Sequence, residues 1–358
     1  MRQQRAPLTV EENVPLAPHT TLGVGGPARF FARVADEEAL PDALAFARAR
    51  ACPVFVLGGG SNIVVSDRGF AGLVLRMEIA GIRRGADGAT LHAGAGTEWD
   101  LLVRRAVESR LAGIECLSGI PGTAGAVPVQ NVGAYGQEAG DVIAGVRAWG
   151  LEEESVRRFD RDGCAFGYRS SLFNRPGGRR WVIVEVSFRL RPGGEARIDY
   201  PDLGERFAGR QDPPSLAEVR DAVLQIRRAK GMAWNPGDPE SRSAGSFFKN
   251  PVLPPATVEA LEKALGPGTD RIPRFPVPGG GIKVPAAWLI TRAGLGPETS
   301  SGGARISARH ALAIVNRGGA TSDDILDLMD KIRRRVREAW GVDLEPEPIF
   351  VGFEPFIG

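Results

Sequence analysis

Apolar residues in this chain recur with two spacings, alternate positions in some stretches and every third or fourth position in others, with segments rich in glycine and proline between them. The run PVFVL at 53–57 ends in Gly58-Gly59-Gly60-Ser61-Asn62, which predicts a buried strand delivering the chain into a tight turn. GLVLR at 72–76 reads as the next strand, and WVIVEVSFRL at 181–190, β-branched and alternating, as a central one. Helical spacing begins after Thr97, where Trp99, Leu102, Val103 and Ala106 share a face and Asp100 completes a capping-box pattern. Ser215 to Lys230 predicts a second helix. It has a Ser215/Glu218 capping box, a stripe through Val219, Val223 and Ile226, and Arg227, Arg228 and Lys230 at the end where helix carbonyls favour cations, with Gly231 as its stop. The last helix has Thr321 and Asp324 at capping spacing, then Ile325, Leu328, Met329, Ile332, Val336 and Trp340 in a stripe closed by Gly341. Thr257 to Leu265 and Pro285 to Ala293 read as short helices, HALAIVN at 310–316 as a strand, and the tail LEPEPIFVGFEPFIG as extended chain. MAWNPGDPESRSAG carries Pro, Gly and Ser without periodicity and marks a domain boundary, with a last domain beginning near Ser241.

The 358 residues are 43% hydrophobic and 25% charged, enough apolar material for two or three domains. With 45 basic against 43 acidic residues the formal charge is only +2, which argues against nucleic acid or an anionic membrane as partner; an anionic ligand has to be held locally. Cys52, Cys116 and Cys164 are odd in number and widely spaced, fitting neither a disulfide framework nor a Cys-x-x-Cys metal site, and they point to a reducing, cytoplasmic compartment. His19, His92 and His310 form no metal-ligand spacing and read as ordinary strand or loop residues. The N-terminal MRQQRAPLTVEEN has no apolar run behind its basic residues, and no stretch approaches the length of a spanning helix, so neither a signal peptide nor a membrane anchor is expected.

Glycines at 58, 59 and 60 carry no side chain to hold a ligand off the backbone, and Ser61 and Asn62 add side-chain donors to the exposed N–H groups, an arrangement suited to phosphate oxygens. Alone this is weak support, since a flexible turn looks the same. The stretch from Gly119 to Gly136, GIPGTAGAVPVQNVGAYG, is too rich in Gly and Pro for regular structure and too apolar for a solvated linker, and it supplies a second wall. A diphosphate flanked by two large groups fits between two such segments. Gly-Lys-Ser/Thr is missing, as is G-x-G-x-x-G at a strand-to-helix turn, so neither a Walker nor a Rossmann nucleotide site is expected.

VLGGGSNIVVSD at 56–67, IPGTAGAVPVQNVGAYGQE at 120–138, FGYRSSLF at 166–173, AGSFFKNP at 244–251 and LEPE at 344–347 follow one another in an order that resembles the UDP-N-acetylenolpyruvoylglucosamine reductases. The resemblance covers nearly the whole chain. It implies an α+β protein with the two-subdomain FAD-binding fold shared with para-cresol methylhydroxylase and vanillyl-alcohol oxidase, over 1–74 and 75–235. A C-terminal α+β substrate-binding domain over 236–342 follows, and the tail 343–358 returns to the first subdomain. FAD is implied to be noncovalent, with contacts at Gly58, Gly59, Gly60, Ser61, Asn62, Pro121, Gly122, Thr123, Gly125, Ala126, Gln130, Asn131, Gly133, Ala134, Tyr135 and Val184. NADPH is the implied reductant, and the implied reaction converts the enolpyruvyl ether of UDP-N-acetylenolpyruvoylglucosamine to UDP-N-acetylmuramate in peptidoglycan synthesis, by a monomer or weak oligomer.

Hydride addition to one carbon of the enolpyruvyl double bond leaves negative charge on its neighbour and the attached carboxylate, and that charge must be stabilised and then protonated. By the resemblance, Arg169 and Glu347 stabilise it and Ser246 protonates the carbon. Arg169 is permanently cationic and can fork onto a carboxylate. An ionised Glu347 would repel an enolate, so its role requires a protonated carboxyl or a partner such as Arg169. A serine is a weak acid, but an enolate is a strong base and positioning makes the transfer feasible. Substrate contacts carry over to Tyr168, Tyr200, Lys230, Asn250 and Lys283, and the long interval from Arg169 to Ser246 resembles the subgroup with an extra β-α-β-β unit and a tyrosine-bearing loop. Pro348-Ile349 stand where the family often has Val-Arg, so no contact from that arginine carries over. Two other readings compete: another noncovalent-FAD oxidoreductase of this fold acting on a sugar or alcohol, and a nucleotide-sugar sensor without turnover. Neither glycine loop holds a histidine that could tether flavin, and Arg169, Ser246 and Glu347 occur together, which favours the reductase.

Overall fold

The computed structural model describes residues 8–265 and 271–353, and the chain divides into two compact units: Met1–Pro15, Pro27–Gly60 and Phe70–Trp234 in one, Leu16–Gly26, Ser61–Gly69 and Asn235–Gly358 in the other. The ends of the chain, including the last residues of the tail read as extended, lie outside the described residues.

Two sheets of four and five strands form most of the first unit. One runs in the order Val10–Pro15, Pro27–Val34, Phe70–Met77, Val54–Leu57, antiparallel at the first pair and parallel at the other two, with helix Leu40–Ala49 connecting Pro27–Val34 to Val54–Leu57. Phe70–Met77 is central and mostly buried, whereas Val54–Leu57, expected to be buried, is an edge strand and largely half-buried. The other sheet is antiparallel in the order Val156–Asp160, Ile143–Gly150, Trp181–Arg189, Thr90–Gly94, Ile82–Arg84, with the expected strand at its centre.

That central strand changes phase along its length. Val182 and Val184 enter one core with Phe30 and Leu75, while Trp181, Ile183, Val186 and Phe188 enter another with Trp99 and Leu102. The cause is a bulge between the Arg147↔Glu185 and Ala148↔Ile183 pairs: one unpaired residue turns every later side chain to the opposite face. Both faces of the strand are covered, and the bulge keeps Val186 and Phe188 on the same face as Trp181 and Ile183.

Helix Trp99–Glu108 buries Trp99, Leu102, Val103 and Ala106 as the periodicity requires, but its expected capping box is absent. Glu98 is the N-cap residue, the Thr97 hydroxyl bonds across to Gly81, and Asp100 accepts the Gly119 N–H at 2.6 Å and both ends of the Arg220 guanidinium at 2.7 Å. The boxes at Ser215/Glu218 and Thr321/Asp324 do form, and Gly341 closes helix Ser322–Trp340 in the left-handed region at φ 63.

The second unit has one core, in which Phe247, Phe248, Leu289, Ile314, Leu328 and Phe350 meet. Around it lie a sheet of Ser300–Ser301, Ala304–Ile306 and Ile314–Asn316, a second of Val252–Leu253, Ile282–Lys283 and Phe275–Pro276, and the parallel pair Ile63–Val65 with Ile349–Val351. Helices Pro255–Leu265 and Ala286–Arg292 lie where expected, but the strand read over 310–316 is only Ile314–Asn316, because residues 310–313 turn, with Ala313 N–H bonded to His310 O at 2.9 Å. Helices and sheets are mixed in both units, the α+β class expected. All three cysteines are free, and burial pushes the Cys164 thiol up to about 12. Among the described residues no helix is long and apolar enough to cross a membrane, and no group of three His, Cys, Asp or Glu could hold a metal ion.

Candidate functional site

In the first unit the two glycine-rich stretches meet backbone to backbone. A Cβ on Gly59 would stand 2.4 Å from the Gly122 Cα, and one on Gly58 would stand 2.9 Å from Thr123 Oγ1. Gly122, at φ 131, also occupies a region where side chains are strained. The second loop is fixed from behind: Trp99 N–H donates to Gly122 O, Ala124 N–H to Thr97 O, and Gly125 N–H to Ala95 O. Gly125 is needed for that backing, since a Cβ there would lie 2.6 Å from the Ala95 Cβ. Pro121, Ala126 and Gln130 are half-buried along the same loop.

Thr123 is buried, and its Oγ1 has no hydrogen-bond partner among the described residues. Leaving a hydroxyl so costs about 1–3 kcal/mol unless something outside the protein accepts from it. A buried hydroxyl without a protein partner, where two glycine-rich loops meet backbone to backbone, suits a diphosphate, so these residues fit FAD. Val184 packs in the core, and its carbonyl is taken by Ala95 N–H at 2.9 Å.

Further along the loop, Asn131 is buried and its side chain is committed within the protein: it donates to Glu138 Oε2 at 2.8 Å and Gly167 O at 3.1 Å, and accepts Gly140 N–H at 2.8 Å. Gly133–Ala134 pairs with Gln137–Glu138 as a small hairpin with Tyr135 in its turn. Gly167 and Ser170 exchange backbone hydrogen bonds of 2.9 and 3.1 Å, which puts Tyr168 and Arg169 at the tip of a tight turn. Arg169 sits at φ 51, a left-handed conformation costing a non-glycine residue about 1–2 kcal/mol, and Asn131 and Tyr135 share that region at φ 46 and 48. The turn holds because Asn174 Nδ2 donates to Arg169 O at 3.0 Å, and the guanidinium reaches the glycine loop through Nη2 to Gly133 O, also at 3.0 Å. Arg169 and the second loop are thus one assembly.

Tyr200 begins helix Pro201–Arg206, with its ring edge-on to Tyr135 at 5.3 Å. Lys230 Nζ donates to Asp202 at 2.6 Å and lies 6.0 Å from the Tyr135 ring centre. Burial alone would lower the Lys230 pKa, but the Asp202 hydrogen bond and Tyr135 outweigh it and the ammonium is held above its ordinary range. Arg227, read as a helix-end cation, is instead buried beside Tyr135, and loss of solvent pulls its pKa down.

In the second unit the Ser246 segment is clamped on both sides. Phe247 N–H donates to Leu312 O at 2.7 Å, while Glu347 N–H donates to Phe247 O and Lys249 N–H to Glu345 O, both at 2.9 Å. Ser246 and Glu347, both half-buried, are therefore carried on adjoining stretches of backbone. Asn62 fastens Glu347 further: its amide donates to Glu347 O at 3.3 Å, and its carbonyl accepts Ile349 N–H at 3.0 Å around the buried Pro348. Ser246 Oγ lies 3.4 Å from His310 Nε2. Sequence analysis missed this histidine, because the two residues are 64 positions apart and no local spacing links them. Asn250 Oδ1 accepts Ala286 N–H at 2.9 Å, and Lys283 pairs with Val252 two residues beyond Asn250. Arg169 belongs to the first unit, Ser246 and Glu347 to the second.

Residues 28–158 match the family described as FAD binding domain, and residues 238–351 match the C-terminal domain of UDP-N-acetylenolpyruvoylglucosamine reductase. The chain is 42% identical to the UDP-N-acetylenolpyruvoylglucosamine reductase of Thermobifida fusca (strain YX), over 95% of its own length and 97% of the relative's. It is 42% identical to that of Burkholderia multivorans, over 98% and 99%. A crystal structure of UDP-N-acetylenolpyruvylglucosamine reductase from Thermus caldophilus is similar with a TM-score of 0.66 and 29% identity, covering 96% of this chain and 99% of that one.

Proposed function

Because the chain belongs to the UDP-N-acetylenolpyruvoylglucosamine reductase family and carries an FAD binding domain, we propose that it reduces the enolpyruvyl ether of UDP-N-acetylenolpyruvoylglucosamine to UDP-N-acetylmuramate, with NADPH as reductant. The geometric observation that supports this reading is the backbone hydrogen bond from Glu347 N–H to Phe247 O, which joins the segments that carry Glu347 and Ser246. FAD, when bound, supplies the hydride that adds to one carbon of the enolpyruvyl double bond. The Thr123 hydroxyl, with those backbone N–H groups of the two glycine loops that protein carbonyls do not take, would bind its diphosphate. Arg169, fixed in a strained turn, presents a permanent cation to the substrate carboxylate as charge grows there. Glu347, as a protonated carboxyl or with a cationic partner such as Arg169, stabilises the same developing charge, and Ser246 gives its proton to the carbon.

Residues 1–74 and 75–235 act as the two FAD-binding subdomains and 236–342 as the substrate domain; the family match that begins at residue 238 supports the start of the last of these. The tail pairs Ile349–Val351 with Ile63–Val65, residues that fall within 1–74 in the sequence but pack in the second unit. Tyr168, Tyr200, Lys230, Asn250 and Lys283 bind the substrate, the ammonium groups serving its phosphates and the exposed rings its flat and apolar portions. The protein works in the cytoplasm as a monomer or weak oligomer. Ser246→Ala tests the reading: NADPH should still reduce the flavin at the parental rate, while product formation falls by about 10²–10⁴-fold. Equal loss of both half-reactions, or of neither, would remove Ser246 as proton donor.

A further inference from the structure

A hydroxyl that gives a proton to carbon develops negative charge on its own oxygen, so Ser246 needs a donor aimed at Oγ as much as the substrate needs one. His310 Nε2 stands 3.4 Å from that oxygen, with both side chains half-buried. Their approach is built into the backbone. Phe247 N–H to Leu312 O, at 2.7 Å, ties the serine segment to the 310–313 turn, Ala313 N–H closes that turn on His310 O at 2.9 Å, and Ser243 bridges Val315. The other side of the turn is anchored by Glu240, whose Oε2 accepts the Ser307 hydroxyl at 2.7 Å and Ala308 N–H at 2.9 Å.

We propose that His310 is a positioning residue for proton transfer by Ser246, a neutral imidazole with its hydrogen on Nε2 donating to Ser246 Oγ. The donation occupies one lone pair, which turns the hydroxyl's own hydrogen away from the ring, and it stabilises the alkoxide as the O–H bond breaks and the C–H bond forms. The electron pair of the O–H bond stays on Oγ, the proton ends on the substrate carbon, and Oγ takes a proton back from solvent water after product leaves. The imidazole keeps its own proton throughout. A bond to a charged oxygen is roughly twice as strong as one to a neutral oxygen, so the 3.4 Å separation shortens as charge develops. The inference rests on the reading of Ser246 as proton donor.

The full-length holoprotein, its flavin reduced with dithionite, is mixed anaerobically with UDP-N-acetylenolpyruvoylglucosamine and flavin reoxidation is followed; calorimetry on the oxidised protein gives the substrate Kd. His310→Ala should slow reoxidation on the order of 10²-fold, the usual cost of losing one oxyanion donor, with Kd unchanged within about twofold. His310→Gln, whose amide N–H reaches the same oxygen, should recover to within about tenfold of the parent. In a Ser246→Ala background, His310→Ala should add no further slowing. Parental reoxidation in His310→Ala, a glutamine variant as slow as Ser246→Ala at normal Kd, or full additivity in the double variant would each overturn the proposal. Should His310→Ala fail to fold, the glutamine variant decides by the same criterion. Parental reoxidation in Ser246→Ala would bring down the proton-donor reading and this inference together, whereas parental rates in the histidine variants alone would leave Ser246 its role.

Discussion

Replacing Thr123 by valine would keep its shape and remove only the hydroxyl that lies buried without a protein partner. Thr123→Val should therefore raise the melting temperature of the flavin-free protein and weaken FAD binding by about five- to tenfold, about 1–1.5 kcal/mol for one lost hydrogen bond. Calorimetry of the apoprotein and a fluorescence titration with FAD check both halves; unchanged affinity would take the hydroxyl out of the site. Gly58, Gly59 and Gly60 were legible as a candidate cradle because a run of glycines shows in the sequence itself, but the contact that requires glycine at 59, a Cβ there lying 2.4 Å from the Gly122 Cα, comes from a distant loop. The unmet Thr123 hydroxyl, the burial of Arg227 and the meeting of Ser246 with His310 were not legible, since each depends on chain arriving from elsewhere. The ties of the Asn131 amide to Gly140 and Gly167 were not legible either, since both partners arrive from elsewhere in the chain.

Helices show how far a local pattern reaches. Ser215/Glu218 and Thr321/Asp324 form capping boxes because all the partners lie within one turn, whereas Thr97/Asp100 shows the same spacing and does not. Asp100 is claimed by Arg220 and Gly119 instead. Burial alone would raise its pKa, but the Arg220 hydrogen bond and Gly119 N–H outweigh that and hold the carboxyl below its ordinary value. A carboxyl depressed on folding stabilises above its unfolded pKa of about 3.9, and that stabilisation is lost as pH falls through the lower folded value. Asp100→Asn should cost about 1.5–3 kcal/mol at pH 7, a deficit that shrinks below about pH 4 as the parental carboxyl is protonated. Urea unfolding of both proteins at the two pH values checks this; a deficit independent of pH would mean packing rather than charge holds the helix. The central strand Trp181–Arg189 was legible from its β-branched alternation, but the bulge that brings Val186 and Phe188 into the core of Trp181 and Ile183 was not, because it depends on pairing with a partner strand far away in sequence.

For the whole molecule, the α+β class and the order of the motifs were readable directly, but the composition of the second unit was not. Leu16–Gly26 and Ser61–Gly69 belong to it through long-range bonds such as Asn316 Nδ2 to Leu22 O at 3.0 Å, Ser322 N–H to Asp67 at 2.7 Å, and the pairing of Ile63–Val65 with Ile349–Val351. No local composition signals these. The same long-range ties place Asn62 on Glu347, so a residue read as part of the phosphate cradle also fixes a carboxyl assigned to the chemistry. The central claim is that one chain couples a flavin cradle to reduction of one enol ether. The most direct measurement is the visible spectrum of the purified protein, followed by NADPH oxidation with and without UDP-N-acetylenolpyruvoylglucosamine. A yellow protein with flavin bands is expected, and NADPH should be consumed beyond the one equivalent that reduces the bound flavin only when that substrate is present, one for each UDP-N-acetylmuramate formed. A colourless protein, or NADPH oxidation indifferent to the substrate, would contradict it.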